Sequence, residues 1–459
     1  MADWTGTRVL VVGLARQGKA LARYLTQQGA HVTVTDHKPA SELAQAVDEL
    51  QGQSVDFVLG GHPPALLEGT DLVCLSGGVP ADLPLAQQAR QRGLTVTNDS
   101  QIFVQASPAP TIGITGSAGK TTTTALVGRM AEHQAQAAGV RAWIGGNIGR
   151  PMLEDLGLIR PHDFVVMELS SFQLEVMSSS PNVAAVLNVT PNHLDRHKSM
   201  AAYTEAKARI LMAQEPDDAA VLGHDDPGAW GLRQRVRGAL WSFGRERPPA
   251  GRGASFGGGL IVLHDGGQPQ LVSPTGEVQL RGEHNLQNVA AACAIAAAAG
   301  ISVECMRQAI REFRGVEHRL EWVRRVQGAD WYNDSIATAP ERALAALRSF
   351  SEPIVLLAGG RDKDLPLEAW AEEVTRRVDH LILFGEAAPR IAAALQPFAD
   401  RPRPMTTDRC AGLEQAVQAA ARRAEPGDVV LLSPGGTSFD AFADFAERGD
   451  RFRALVRDL

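Results

Sequence analysis

Residues 111–122 read Thr-Ile-Gly-Ile-Thr-Gly-Ser-Ala-Gly-Lys-Thr-Thr. An apolar strand runs into a glycine turn, and Lys-Thr-Thr opens a helix. A helix start presents unpaired backbone N–H groups and the positive end of its dipole, which together suit a phosphate. Gly116 and Gly119 let the backbone, with Ser117 and Ala118 between them, wrap a phosphate group. Lys120 adds a point charge, and the hydroxyl of Thr121, followed by Thr122, suits Mg²⁺. The strict phosphate-loop pattern has glycine at position 114; this chain has Ile114, giving a shorter Gly-x-x-Gly-Lys-Thr variant.

Two more apolar runs end in groups that belong beside a metal–nucleotide. Asp163 to Met167 predicts a strand ending at Glu168, and Val183 to Val189 predicts another, leading to Thr190-Pro191-Asn192-His193-Leu194-Asp195. If all three strands are parallel, their carboxyl ends share one sheet edge. Thr121 and Glu168 offer the hard oxygens that Mg²⁺ prefers; His193 is a less typical partner, with the capping of a turn as its alternative role. No Asn-Lys-x-Asp guanine-reading motif, aspartate-rich nuclease cluster or Ser/His/Asp elbow is evident, which leaves ATP-driven chemistry as the leading class.

These residues need α/β scaffolding, and the chain alternates accordingly. Arg8–Val12, His31–Thr35 and Leu72–Leu75 read as strands of a first, parallel, doubly wound sheet. Gly13-Leu14-Ala15 follows the first strand, Asp36 ends the second, and Ser76-Gly77-Gly78 follows the third. The glycine pattern is incomplete for a dinucleotide, because Ala15 stands where a second glycine belongs; another nucleotide or a sugar diphosphate fits better. Ser107-Pro108-Ala109-Pro110 reads as a linker, Gly244 to Gly259 as a loop, and residues 260–272 as a hairpin around Asp265-Gly266-Gly267. Val289 to Ala299 is too short to span a bilayer, which takes about 20 residues, and predicts a packed core helix. Strands at Pro353–Leu357, His380–Phe384 and Asp428–Leu432 begin a third alternating unit near Gly315.

Composition sets the frame. At roughly 100–200 residues per domain, 459 residues predict about three domains, each burying its own core. A net charge of -7 argues against a nucleic-acid binder, so anionic substrates must be held by local cations and helix starts. Four cysteines with no C-x-x-C pair read as reduced thiols, and no signal-like segment precedes the first strand; a cytoplasmic protein without membrane insertion is expected.

Three runs then carry a resemblance: Gly116-Ser117-Ala118-Gly119-Lys120-Thr121-Thr122, Glu168-Leu169-Ser170-Ser171-Phe172-Gln173-Leu174, and Asn188-x-x-Pro191-Asn192-His193-Leu194-Asp195-Arg196-His197. With Gly145-Gly146-Asn147-Ile148-Gly149, Glu317-His318-Arg319, Asn333-Asp334-Ser335 and Leu432-Ser433-Pro434 in the same order, the chain resembles the Mur ligases of peptidoglycan synthesis along essentially its whole length. The resemblance is strongest to the branch that adds D-glutamate to UDP-N-acetylmuramoyl-L-alanine.

The resemblance implies three α/β domains: a Rossmann-like sheet over 1–108 for the UDP-substrate, a P-loop ATPase-type domain over 109–314, and a Rossmann-like domain over 315–459 for the amino acid. It implies a monomer that uses ATP and two Mg²⁺ ions to form an amide through an acyl phosphate. Lys120, His193 and Lys207 would be catalytic, and Thr121, Glu168, His193 and Lys207 would serve the metals. Lys207, which by its type alone reads as a solvated helix lysine, would be carbamylated. Asn288, Arg319 and Asp334 would join the phosphate loop on ATP. Leu14, Ala15, Asp36, His37, Ser76, Gly78, Asn147 and Gln173 would hold the UDP-substrate, and Thr338, Lys363, Ser438, Phe439 and Phe445 the amino acid. The chain departs from the family at Ala118, usually asparagine, and at Ile336, often lysine. An apolar side chain at 336 donates no hydrogen bond to a carboxylate, so L-glutamate or another amino acid stays open as substrate. A folylpolyglutamate synthase-like ligase is a further alternative, disfavoured by the hundred or so residues ahead of the phosphate loop.

Overall fold

The computed structural model describes residues 3–149, 151–362, 364–398 and 404–459. They form three α/β sheets, each with its loops of interest at the carboxyl ends of its strands. The first contains β1 (Arg8–Val12), α1 (Arg16–Gln27), β2 (His31–Asp36), α2 (Ala40–Asp48), β3 (Val55–Leu59), β4 (Leu72–Leu75), α3 (Pro84–Gln91), β5 (Thr95–Asn98) and α4 (Asp99–Ala106). Its strand order β3-β2-β1-β4-β5 reverses direction between β1 and β4, where doubly wound sheets open a crevice. Alternate residues of β1 explain its apolar run: Val9 and Val11 pack with Leu21 and Leu25 of α1, while Leu10 and Val12 pack with Leu85 and Ala89 of α3.

The second sheet begins with β6 (Thr111–Thr115), α5 (Lys120–Ala138), β7 (Ala142–Gly146), β8 (Phe164–Glu168), α6 (Ser171–Leu174), β9 (Val183–Val186), α7 (Leu194–His197) and α8 (Met200–Met212). It continues through β10 (Ala219–Gly223), α9 (Pro227–Gly231), β11 (Ala239–Gly244), β12 (Arg252–Gly257), β13 (Leu260–Asp265), β14 (Gln270–Pro274), α10 (Glu283–Ala298) and α11 (Val303–Glu312). Strand β6 lies between β8 and β9, parallel to both, with Ile114 opposite Glu168 and Thr115 opposite Val186. The segment expected as a loop over 244–259 contains β12. Gly253 makes this possible: at φ +139°, a Cβ there would stand 1.6 Å from the Ser242 carbonyl oxygen, so only glycine lets the strand pair with β11. The predicted hairpin is β13–β14, and the strand expected to reach Val189 stops at Val186. Residues 289–296 of α10 are all buried, as a core helix requires.

The third sheet holds β15 (Glu321–Val326), β16 (Ala329–Asn333), α12 (Pro340–Leu347), β17 (Ile354–Gly359), α13 (Glu368–Arg377), β18 (Val378–Phe384), α14 (Ala388–Leu395), β19 (Thr406–Cys410), α15 (Leu413–Arg423), β20 (Val429–Gly435) and α16 (Phe445–Arg457). Its order is β15-β16-β20-β17-β18-β19, with separate apolar clusters on its two faces.

The chain divides into two compact units, residues 1–278 with 283–313, and residues 279–282 with 314–459. Separate cores were expected for three domains, yet one apolar cluster runs from Val9 through Ile102, Phe103 and Leu153 to Leu232 and serves the first two sheets together. Helix α4 and residues 152–158 bring this about by lying between those sheets. Among the described residues no helix is long and apolar enough to cross a membrane.

Gly18 sets how closely α1 approaches the β1 loop, because a Cβ there would lie 1.8 Å from the Gly13 carbonyl oxygen. Gly18→Ala is expected to destabilise the first unit by about 1–3 kcal/mol. Thermal unfolding checks it against Gly157→Ala, whose added methyl meets nothing within 4 Å. Equal midpoints for the two variants would contradict this account.

Candidate active site

The turn after β6 is held from two sides. Gly119 has φ +82°, and a Cβ on it would lie 2.3 Å from Asn288 Oδ1, so glycine is needed and Asn288 of α10 borders the loop. Ile114, at the position where the strict pattern has glycine, is a fully buried strand residue; the phosphate-loop turn begins two residues later. Loop and β9 extension are laced together. Ser117 N donates to the Asn188 carbonyl at 3.0 Å and Ala118 N to Asn188 Oδ1 at 2.8 Å. Ser117 Oγ donates to Thr190 O at 2.9 Å and accepts from Tyr203 OH at 3.0 Å. Ala118, where the family usually has asparagine, thus engages Asn188 through its main chain.

Two lysines meet on one carbonyl. Lys120 Nζ and Lys207 Nζ each donate to Gly116 O, both at 2.8 Å. Lys207 is only 1% exposed and lies 4.7 Å over the Tyr203 ring. Burial first, and the charge of Lys120 second, push its pKa down to about 6, against the pull of Glu168. The side-chain type had suggested a solvated lysine, and the fold overrules that. Glu168 is buried too. Its Oε1 accepts from Asn147 Nδ2 at 2.7 Å, while Oε2 has no hydrogen-bond partner. A buried carboxylate oxygen without a donor is costly unless a cation completes it. Gly146 lets Asn147 reach this point: with φ +95°, a Cβ there would lie 2.4 Å from the Glu168 carbonyl oxygen. His193, at φ +53° ahead of α7, stands on the same sheet edge, its ring edge-on to Phe172 at 5.2 Å. Among the described residues no three His, Cys, Asp or Glu side chains form a metal cage. Mg²⁺ is commonly held by one or two carboxylates together with substrate phosphates, and Glu168 and Thr121 fit that donor set.

At the first sheet's crevice, Asp36 organises the turn after β1, accepting from Leu14 N at 2.8 Å and Lys38 N at 3.0 Å. Burial raises its pKa, but those N–H groups and the neighbouring His37 and His62 outweigh it, and the carboxyl is held below its usual range. His37 is exposed beside it, Ala15 caps α1, and Ser76 is buried next to the exposed turn at Gly78. Gln173 is turned inward. It closes a capping box with Ser170 and donates to Ser100 Oγ at 2.9 Å, tying α6 to α4.

In the second unit, Asp334 accepts from Ser433 Oγ at 2.8 Å and Leu320 N at 3.2 Å. Burial pushes its pKa up to about 7, with Ser433, the Leu320 N–H, Arg319 and Arg342 pulling the other way. Thr338 and Phe445 are half-buried, Ser438 is buried, and Phe439 is 59% exposed. Lys363 lies outside the described residues. Sequence reasoning missed Arg448, which is fully buried and clamps two loops. It donates to Ser335 Oγ at 3.0 Å, Ser335 O at 2.9 Å, Gly436 O at 3.2 Å and Thr437 O at 3.1 Å. It also missed Tyr203 and the loop-binding role of Asn188. Asn188 stands in the same motif as His193, which was the available signal; Arg448 and Tyr203 gave none, since ordinary helix positions carry arginine and tyrosine freely.

Residues 7–98 match the Mur ligase MurD-like N-terminal domain, 114–296 the Mur ligase middle domain, and 318–436 the Mur ligase glutamate ligase domain. The chain is 41% identical over 455 residues to the UDP-N-acetylmuramoylalanine–D-glutamate ligase of Symbiobacterium thermophilum, covering 98% of each. This chain belongs to the Mur ligase family. The enzyme of the same name from Geobacter metallireducens is also 41% identical, over 99% of this chain and 98% of its own. Among solved structures, the UDP-N-acetylmuramate–alanine ligase MurC of Thermotoga maritima aligns with a TM-score of 0.56 at 18% identity, over 98% of this chain and 99% of its own. MurF from Acinetobacter baumannii gives 0.54 at 18%, over all of this chain and 91% of its own. At such identities these two establish the shared Mur ligase three-domain α/β fold. As a Mur ligase, the protein is an ATP-dependent, amide-bond-forming enzyme that uses Mg²⁺.

Two outcomes are expected from these contacts. Between about pH 6 and the unfolded lysine value near 10.4, the unfolded chain binds a proton at Lys207 that the folded chain does not. Stability should therefore rise with pH across that window, on the order of 1 kcal/mol per unit, and Lys207→Met should flatten the rise. Urea unfolding at pH 7 and 9 in CO₂-free buffer measures it, and identical pH slopes would contradict the burial effect. Arg448→Met should cost on the order of 3 kcal/mol by stranding buried carbonyls, with Arg448→Lys recovering part of it. Unfolding midpoints decide, and a methionine variant as stable as the parent would refute the clamp.

Proposed function

We propose that this Mur ligase joins D-glutamate to UDP-N-acetylmuramoyl-L-alanine in peptidoglycan precursor synthesis. The observation that carries the substrate assignment is the full-length similarity to D-glutamate ligases at 41% identity. The phosphate loop, Lys120 and Asn288 receive ATP, with Arg319 and Asp334 as its further contacts. Loop N–H groups and the Lys120 ammonium align and neutralise the γ-phosphate, which is most of what phosphoryl transfer requires. A muramoyl-alanine carboxylate oxygen bonds to the γ-phosphorus, the bridging P–O bond breaks, and ADP leaves. The glutamate nitrogen then bonds to the activated carbonyl carbon, the C–O bond breaks, phosphate departs with the electron pair, and the nitrogen loses a proton. Bound Mg²⁺, as two ions, would supply charge neutralisation on the phosphates. The unpartnered Glu168 Oε2, with Thr121 and His193, is the donor set on offer.

Lys207 completes that set as a carbamate. A lysine amine reacts with CO₂ only when unprotonated, and burial beside Lys120 holds this one largely so at neutral pH. Its lone pair bonds to the CO₂ carbon and the released proton goes to solvent, leaving an anion beside Lys120. The UDP moiety lies on Leu14, Ala15, Asp36, His37, Ser76 and Gly78, and the muramoyl-alanine moiety on Asn147, Gln173 and His193. Thr338, Lys363, Ser438, Phe439 and Phe445 receive glutamate in a third domain over 315–459. Four free thiols fit a reducing cytoplasm.

Phosphate release with UDP-N-acetylmuramoyl-L-alanine, ATP and either glutamate enantiomer tests the reading. D-glutamate should support turnover and Lys120→Ala should abolish it. Turnover with L-glutamate alone would move the assignment to the other enantiomer, the alternative that Ile336 keeps open. Unchanged release by Lys120→Ala would remove that lysine from the mechanism.

A further inference from the structure

A cleft of about 470 Å³ opens between α3 and β5 of the first sheet and α6 to α8 of the second, lined among others by Asp82, Arg90, Glu175, Arg196, Lys198 and Arg209. None of these residues belongs to the substrate or ATP contacts proposed above. Lys207 reaches the phosphate loop, whereas Arg209, two positions on, lies on the opposite face of α8 and turns to the cleft.

The cleft gathers cations in a chain whose net charge is -7. Its arginines come from three separate elements, α3, α7 and α8, so no single helix pattern accounts for them. Each has donors to spare. Arg90 gives one N–H to Ala81 O at 2.6 Å and Arg209 one to Met177 O at 3.4 Å, while the Arg196 guanidinium lies 4.6 Å over the Phe172 ring. A guanidinium carries five N–H donors. Of the two carboxylates, Glu175 is already engaged, 2.9 Å from His197 Nδ1, and the other ring nitrogen of His197 is 2.9 Å from Ser171 Oγ. Burial first, and the charge of Arg209 second, lower the Arg90 pKa, with Glu175 pulling the other way. Glu175 is drawn by Arg196, Arg209 and Arg90 and offsets part of that repulsion, while the spare guanidinium forks match phosphate oxygens bidentately.

We propose that this cleft is a second anion site, separate from the phosphate loop, that takes a diphosphate group. One phosphate engages one or two guanidinium forks; three forks converging from three elements fit two linked phosphates. The site borders the His193 loop directly, since His197 and Lys198 line it and Phe172 stacks on His197 with ring centroids 5.2 Å apart.

Calorimetric titration with inorganic pyrophosphate tests this on the full chain, with a non-hydrolysable ATP analogue and UDP-N-acetylmuramoyl-L-alanine both saturating. One further equivalent should bind, and Arg90→Gln with Arg209→Gln should weaken it at least about tenfold while turnover without pyrophosphate is unchanged. The two single variants, each expected to weaken binding, serve if the double one does not fold. Absence of a further equivalent, or equal affinity in parent and variants, overturns the proposal. ADP and uridine diphosphate under the same saturation distinguish the sources: tighter binding than pyrophosphate assigns the remaining volume to a nucleoside, and equal binding assigns the site to the diphosphate alone.

Discussion

One main-chain carbonyl, that of Gly116, accepts from both Lys120 and Lys207, and the chemistry of the middle domain is organised around that sharing. Two ammonium ions on one oxygen would repel strongly in a buried place. Burial first, and the charge of Lys120 second, bring the Lys207 pKa down to about 6. Lys120 opens α5 at the turn, where a phosphate group would sit. Against this works the pull of Glu168, whose own Oε2 has no donor. Burial and proximity thus move the lysine of α8 away from its ordinary value.

That arrangement depends on three strand ends being level. The pairing of Ile114 with Glu168 and of Thr115 with Val186 brings the loops after β6, β8 and β9 to one edge. Asn188 and Ser117 then tie two of those loops together, and Tyr203 ties α8 to them, so Lys207 is delivered to Gly116 by a helix that is itself anchored. The second unit solves the same positioning problem with one buried arginine. Arg448 binds the loop after β16 and the loop after β20 simultaneously, holding Ser335 against Gly436 and Thr437. A planar group with five donors can do this where a lysine could span only part of it.

The alternation of strands and helices, the phosphate loop, the strand ending at Glu168 and the loop carrying His193 were all legible in the chain. They depend on local pattern: apolar runs of strand length, glycines at turns, and charged or hydroxyl residues at helix starts. The strand at Arg252–Gly257 was not legible, because its pairing rests on glycine at 253 approaching Ser242, and glycine in a row otherwise signals a loop. The shared core of the first two sheets was hidden for a related reason: α4 and residues 152–158 carry ordinary apolar spacing that does not announce which sheet they cover.

By itself the amino-acid sequence determined which side chains were available for phosphate, metal and carboxylate chemistry, and in what order along three α/β segments. Only the tertiary structure decided their electrostatic states. Lys207 differs from any exposed helix lysine by what folds over it, and Arg448 from any other arginine of α16 by the two loops it faces. Charge and hydrogen-bonding capacity are properties of a residue type, whereas pKa and partnership follow from burial and distance, which arise when segments far apart in the chain are packed together.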